Sequence, residues 1–229
     1  PPTAVHWLGT DQFGRDILPM IMAGAQTSIV VGLIAVSLGG IFGLALGLWA
    51  AARRGWTEDL IMRLSDLTFA FPVILIAILL TAGWGPGITN AILALGVINI
   101  PIFARLVRGT GIAMWEREFV QAARSAGKGR VRITFEHILP NITSVVVVQA
   151  TISFAIAILA EAALSYLGVG SQPPDPSWGR MLSESQNFIF LSPLIAVWPG
   201  LAIVLSVLGL NLMGDGLRDL LDPRLARQR

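Results

Sequence analysis

Residues 116–141 read EREFVQAARSAGKGRVRITFEHILPN, a polar and basic segment set between uncharged apolar runs at 88–104 and 142–160. Three more uncharged runs occur at 28–52, 67–83 and 193–213. Such runs come close to or exceed the ~20 residues that cross ~30 Å of hydrocarbon. The apolar share of 54%, the charged share of 13% and a mean hydropathy of +0.72 suit a chain that buries its surface in lipid rather than in one soluble core. Backbone polar groups find no water there, so the long runs predict helices. The expected fold is all-α, a polytopic integral membrane protein with five spans at these limits.

Within 116–141, Phe119, Ala122, Ala123 and Ala126 recur at i, i+3, i+4 and i+7, the spacing of a short amphipathic helix. Gly127 is placed to end it. Val131, Phe135 and Ile138 share one side of a second short helix, and Pro140 opens the next span, where a missing N–H costs least. The pattern predicts a helix, glycine turn, helix hairpin lying beside the membrane with an apolar edge for a partner. The alternative is a basic loop that adheres to anionic lipid.

Of 16 Lys and Arg residues, all but Arg15 and Arg180 fall in three segments: 53–63, 105–132 and 218–229. That asymmetry puts these segments and the C-terminus in the cytoplasm. Counting back through five spans leaves Pro1 outside, and the chain opens on Pro1-Pro2 with neither an initiator Met nor a signal-peptide core. A further N-terminal span, making six, is therefore expected upstream. The organisation expected of 1–229 is a single transmembrane domain: an extracytoplasmic or interfacial segment 1–27, a core 28–213 containing a cytoplasmic coupling loop 105–141, and a cytoplasmic tail 214–229. Within the first segment, Thr10 or Asp11 could cap an interfacial helix, or the stretch 9–16 serves as a plain connector.

Trp7, Trp84, Trp178 and Trp198 fall near outer boundaries and Trp49, Trp56 and Trp115 near inner ones, as in a headgroup belt. Gly39, Gly43 and Gly47 form a stripe that would let another helix approach closely, unless it reflects only the glycine enrichment of membrane helices.

Several chemistries find no support. The chain has no cysteine, and His6 and His137 stand in separate aqueous segments without HExxH spacing, so no metal site is expected. No G-x-x-x-x-G-K-[ST] phosphate loop occurs, so no ATP site of that kind is expected on this chain. No cluster of nucleophile, acid and base suggests catalysis, and no nucleic-acid partner is expected. A stand-alone secondary transporter would carry ionisable groups in mid-membrane, and the spans lack them. A membrane scaffold remains a further alternative.

Gln121-Ala122-Ala123, Gly127 and Leu139-Pro140 resemble the EAA loop of ATP-binding-cassette importer permeases, the segment gripped by the ATPase. The motif's usual acid is Gln121 here, which can hydrogen-bond but cannot form an ion pair. The likeness extends over nearly the whole chain. HWLGTDQFGRDIL at 6–18, DLTFAFP at 66–72, PIFARLVRG at 101–109, EAALSYLGVGSQPPDPSWG at 161–179 and GDGLRDLLDPRLARQR at 214–229 look like the second permease subunit of dipeptide and oligopeptide importers, a family that also carries glutathione and nickel chelates. The resemblance implies the type I importer fold and alternating access in a bacterial inner membrane. It also implies a heterodimer with a homologous permease, two cytoplasmic ATPases holding ATP and Mg, and an extracytoplasmic binding protein. No cofactor is expected on this chain. Coupling residues carried over by the resemblance are Phe119, Gln121, Ala122, Ala123, Gly127, His137, Leu139 and Pro140.

A peptide's path needs neutral hydrogen-bonding groups, and Asn99, Gln149 and Ser153 supply them within spans; they would serve equally as bonds between helices. Glu161, at the end of an apolar run, either faces an aqueous path or holds the turn at 168–174. Asp66 reads as a contact at a helix end. The proline-rich stretch 168–192 cannot span and would face a docking binding protein.

Overall fold

The computed structural model describes residues 3, 4 and 6–221; Pro1, Pro2, Val5 and the end of the expected tail, 222–229, lie outside the described residues. The described elements are helical: α1 (Ile17–Arg53), α2 (Trp56–Ala70), α3 (Val73–Trp84), α4 (Ile88–Trp115), α5 (Glu118–Ser125), α6 (Arg130–Ile133), α7 (Leu139–Tyr166), α8 (Trp178–Ser185) and α9 (Leu194–Leu221). The five expected spans correspond to four helices long and apolar enough to cross a membrane, together with the bent pair α2–α3. The chain is a multi-pass membrane protein.

Three of the departures of the helix limits from the apolar runs have a clear local cause. Helix α1 begins at Ile17, ahead of the apolar run at 28, because Asp16 Oδ1 accepts from Leu18 N (3.1 Å) and Pro19 sits in the first turn, where no donor is required. The carboxyl of Asp16 is held below its usual range by a hydrogen bond with His6. Among the described residues no separate interfacial helix precedes α1. Asp11 instead closes a turn, its Oδ1 accepting from Phe13 N and Arg15 N at 2.9 and 2.8 Å.

The run 67–83, read as one span, is broken. Phe71 is extended (φ −102°, ψ 122°) ahead of Pro72, whose ring disfavours the helical conformation in the residue before it, and the chain bends by 82° between α2 and α3. With 12 residues, α3 reaches only about 18 Å.

The second half of the hairpin is not an independent helix that stops at Pro140. Helix α6 runs through a π turn at Thr134–Ile138 into α7, one helix from Arg130 to Tyr166. Leu139 N donates to Thr134 O, five residues back. This wider turn accommodates the ring of Pro140, which would otherwise collide with the carbonyl one turn earlier.

The chain divides into two compact units, 1–35 with 73–95 and 154–211, and 36–72 with 96–153 and 212–229. In the first, small side chains let helices approach: Ala35, Ala77, Ala91 and Ala94 pack with Val31, Leu95 and Leu164. A second cluster holds Ile17, Ile158, Ala162, Met181 and Ile203 around Trp178. Trp178 is a core residue, not a headgroup anchor. It is 2% exposed and its Nε1 donates to Ile21 O at 3.0 Å. The turn-rich 168–192 stretch thus carries its own helix, α8, docked by that ring.

In the second unit the glycine stripe of α1 meets α4. A Cβ on Gly43 would stand 2.5 Å from Ile100 O, and one on Gly47 would stand 2.7 Å from Ala104 O. The stripe is a packing surface.

Candidate functional site

The polar hairpin is held on one face and open on the other. Helix α5 turns Val120 and Ala123 inward, where they pack with Ile133, Ile138 and Ile142 against Leu48 of α1 and Val107 of α4. Phe119, Ala122 and Ala126 face outward, and Phe119 is 45% exposed. The apolar stripe expected from spacing is therefore divided between two faces, because Val120 rather than Phe119 is the residue that reaches the core.

Gly127 makes the turn with φ +82°, a left-handed conformation that costs a residue with a Cβ about 1–2 kcal/mol. Its N–H donates to Arg124 O (3.0 Å) and Lys128 N to Ala123 O (3.2 Å), which satisfies the last carbonyls of α5. Beyond the turn, Lys128 Nζ and Arg132 Nε donate to Glu136 at 2.6 and 2.5 Å, and Lys128 Nζ lies 3.1 Å from His137 Nε2. The His137 ring is edge-on to Phe119, with centroids 6.2 Å apart. Of the remaining motif residues, Gln121 donates to Trp115 O (2.9 Å), Leu139 packs against the buried cluster, and Pro140 is exposed beside the π turn.

Sequence reasoning did not find the ion pairs that brace this region. Arg105 pairs with Asp66 and lies over the Phe69 ring at 4.6 Å, so DLTFAFP and PIFARLVRG meet each other. Arg108 Nε donates to Glu58 at 2.6 Å, and Arg54 pairs with Glu116 at 3.1 Å. Each pair joins segments far apart in sequence, and charge alone does not reveal the partner.

Among the candidate path residues, Asn99 is 5% exposed and adjoins Gly39 at the α1–α4 contact. Gln149 Nε2 donates to Ser153 Oγ (3.2 Å); Gln149 is half-buried and Ser153 is 3% exposed. Glu161 is 1% exposed, accepting from Ser28 Oγ and Ser165 Oγ at 2.7 Å each, while Ser165 Oγ accepts from Ser171 N (2.9 Å). These contacts tie α1, α7 and the 168–174 turn together. Among the described residues no group of His, Asp and Glu is gathered as metal ligands would be.

Comparison with known proteins gives a consistent picture. Residues 43–227 match the family described as "Binding-protein-dependent transport system inner membrane component". The chain is 50% identical to the dipeptide transport system permease protein DppC of Alkalihalophilus pseudofirmus, over 98% of this chain and 74% of that protein. It is 44% identical, over the same shares, to the glutathione transport system permease protein GsiD of Pectobacterium atrosepticum. In fold it is similar to a chain of the MetNI methionine ABC transporter in an inward-facing conformation (TM-score 0.74, 17% identity, covering 90% of this chain and 97% of that one). The chain belongs to the family of binding-protein-dependent transport system inner membrane components, the permease subunits of ATP-binding-cassette importers.

Proposed function

We propose that this chain is the permease subunit of a peptide importer and that residues 118–140 receive the force of ATP hydrolysis from a separate ATPase subunit. One observation carries the reading: α5 has one face locked to α1 and α4 through Val120 and Ala123, and an apolar opposite face, Phe119, Ala122 and Ala126, that is exposed. A lever needs both. Force applied to the exposed face passes through packed side chains to two membrane helices, which can rock as stiff bodies.

Under this reading the charge-rich segments and the C-terminus are cytoplasmic. Two ATPases holding ATP and Mg, a homologous permease partner and an extracytoplasmic binding protein complete the importer. Small peptides are the substrate class supported by the dipeptide and glutathione permeases among the relatives, since glutathione is itself a peptide. Nickel chelates are the alternative cargo. Gln149, half-buried, is the path residue we retain. For Asn99, Ser153 and Glu161 we favour the helix-packing alternative, supported by the burial of all three and by the bonds of Ser153 to Gln149 and of Glu161 to Ser28.

Ala122→Glu tests the docking face, because it places charge on a surface the chain itself leaves uncovered. The variant is expected to fold and insert normally yet to lose its ATPase subunits on co-purification. Full retention of ATPase and of peptide uptake would refute the assignment.

A further inference from the structure

A cavity of about 360 Å³ opens between the end of α1 and the hairpin, lined by Arg53, Arg54, Arg124, Lys128 and Arg130 with one acid, Glu116. Five cations against one anion leave a net +4 in the lining. Arg54 is paired with Glu116 and Lys128 with Glu136. Arg53, Arg124 and Arg130 make no ion pair among the described residues. Three guanidiniums around one cavity repel each other, and their forked donors suit a phosphate group.

A second feature adjoins the first. A groove of about 580 Å³ shares Ala52, Arg53 and Arg130 with the cavity and continues along Leu48, Trp49, Val131 and Phe135. Beyond the two shared arginines its walls are apolar except for Thr134, and Trp49, Val131 and Phe135 are 55%, 72% and 61% exposed. The cavity lies where the apolar run of α1 gives way to Arg53 and Arg54, the level of lipid headgroups, with Trp49 and Trp56 exposed on either side. A free phosphate would use the cavity and leave the groove empty. A molecule with a phosphate joined to a long hydrocarbon chain uses both.

We propose that the cavity and groove together hold one anionic phospholipid, its phosphate among Arg53, Arg124 and Arg130 and an acyl chain along Trp49, Val131 and Phe135. The lipid would bridge α1 to the hairpin beside the coupling turn, so the charge of the surrounding bilayer would set how firmly hairpin and helix move together. This goes beyond adhesion of a basic loop to a charged surface, because it names a stoichiometric site with two chemically distinct halves.

The test is native mass spectrometry of the intact importer released from nanodiscs of mixed phosphatidylglycerol and phosphatidylcholine. One tightly held phosphatidylglycerol per copy of this chain is expected, at about tenfold or greater preference, as several basic residues near a headgroup would give. Arg124→Gln with Arg130→Gln should abolish the preference, the Arg124→Lys and Arg130→Lys pair should largely keep it, and Phe135→Ser should weaken retention with the charges intact. Inorganic phosphate should not displace the lipid. Equal retention of both lipids, preference unchanged in the Gln pair, or displacement by inorganic phosphate would each overturn the proposal. Loss of ATPase subunits from the Gln pair with phosphatidylglycerol still bound would instead give these cations to the ATPase interface.

Discussion

Ser28 Oγ donates to Glu161 Oε2 at 2.7 Å, joining α1 to α7 across 133 positions of sequence, and the second carboxylate oxygen accepts from Ser165. A buried acid with both oxygens engaged acts as a cross-brace. Glu161→Ala leaves two buried hydroxyls without their acceptor, a loss of about 1–3 kcal/mol for each group left unsatisfied. Thermal unfolding in nanodiscs should order wild type above Glu161→Gln above Glu161→Ala. An alanine variant with unchanged unfolding but no peptide uptake would return Glu161 to the transport path.

Gly40 and Gly43 provide a contrast within one helix. A Cβ on Gly43 meets Ile100 O at 2.5 Å and Phe103 Cβ at 2.6 Å, whereas one on Gly40 meets Phe103 at 3.7 Å, an ordinary contact. Gly43→Ala should destabilise by about 1–3 kcal/mol through overpacking. Gly40→Ala should be neutral or stabilising by up to about 1 kcal/mol, because alanine is the better helix former. Equal effects on unfolding would argue against the tight α1–α4 crossing.

Gly127 has φ +82° and nothing within 4 Å of where a Cβ would stand, so only backbone strain opposes substitution. Gly127→Val should cost about 1–2 kcal/mol locally and lower uptake per ATP hydrolysed. Gly127→Asn should behave close to wild type, since asparagine tolerates the left-handed region. Uptake and ATPase activity measured on the same reconstituted importer separate coupling from simple loss of fold. Full coupling in the valine variant would make the turn dispensable.

The absence of native cysteine allows single-cysteine labelling with a water-soluble thiol reagent. Gln149→Cys should label at a rate that changes with nucleotide. Cysteines at Asn99 and Ser153, 5% and 3% exposed in the native chain, should stay unlabelled in every state. Nucleotide-sensitive labelling at Asn99 would place a conformational opening at the α1–α4 contact.

Acidification gives a narrower test. The hydrogen bond from His6 lowers the folded pKa of Asp16 below that of the same carboxyl in the unfolded chain, so its stabilising contribution is present above the unfolded value and is lost as pH falls through the lower folded one. Amide protection around the start of α1, taken relative to the intrinsic exchange rate at each pH, should therefore be steady above about pH 4 and fall below it. In Asp16→Asn this acid-dependent step should disappear.

The sequence by itself determined the membrane-spanning class, the approximate spans and the glycine-turned hairpin, because all three rest on local quantities: run length, helical period and one residue free to adopt positive φ. The break at Pro72 was present in the sequence as a proline inside an apolar run, but its 82° size was not. Tertiary structure decided what each surface meets. It turned Val120 rather than Phe119 into the core, buried Trp178, paired Arg105 with Asp66 and set Arg53 beside Arg130 over an apolar groove. The physical reason is that composition fixes which side chains must leave water, while their partners are chosen by close packing between segments distant in sequence, where small residues such as Gly43 and Gly47 decide which backbones can touch.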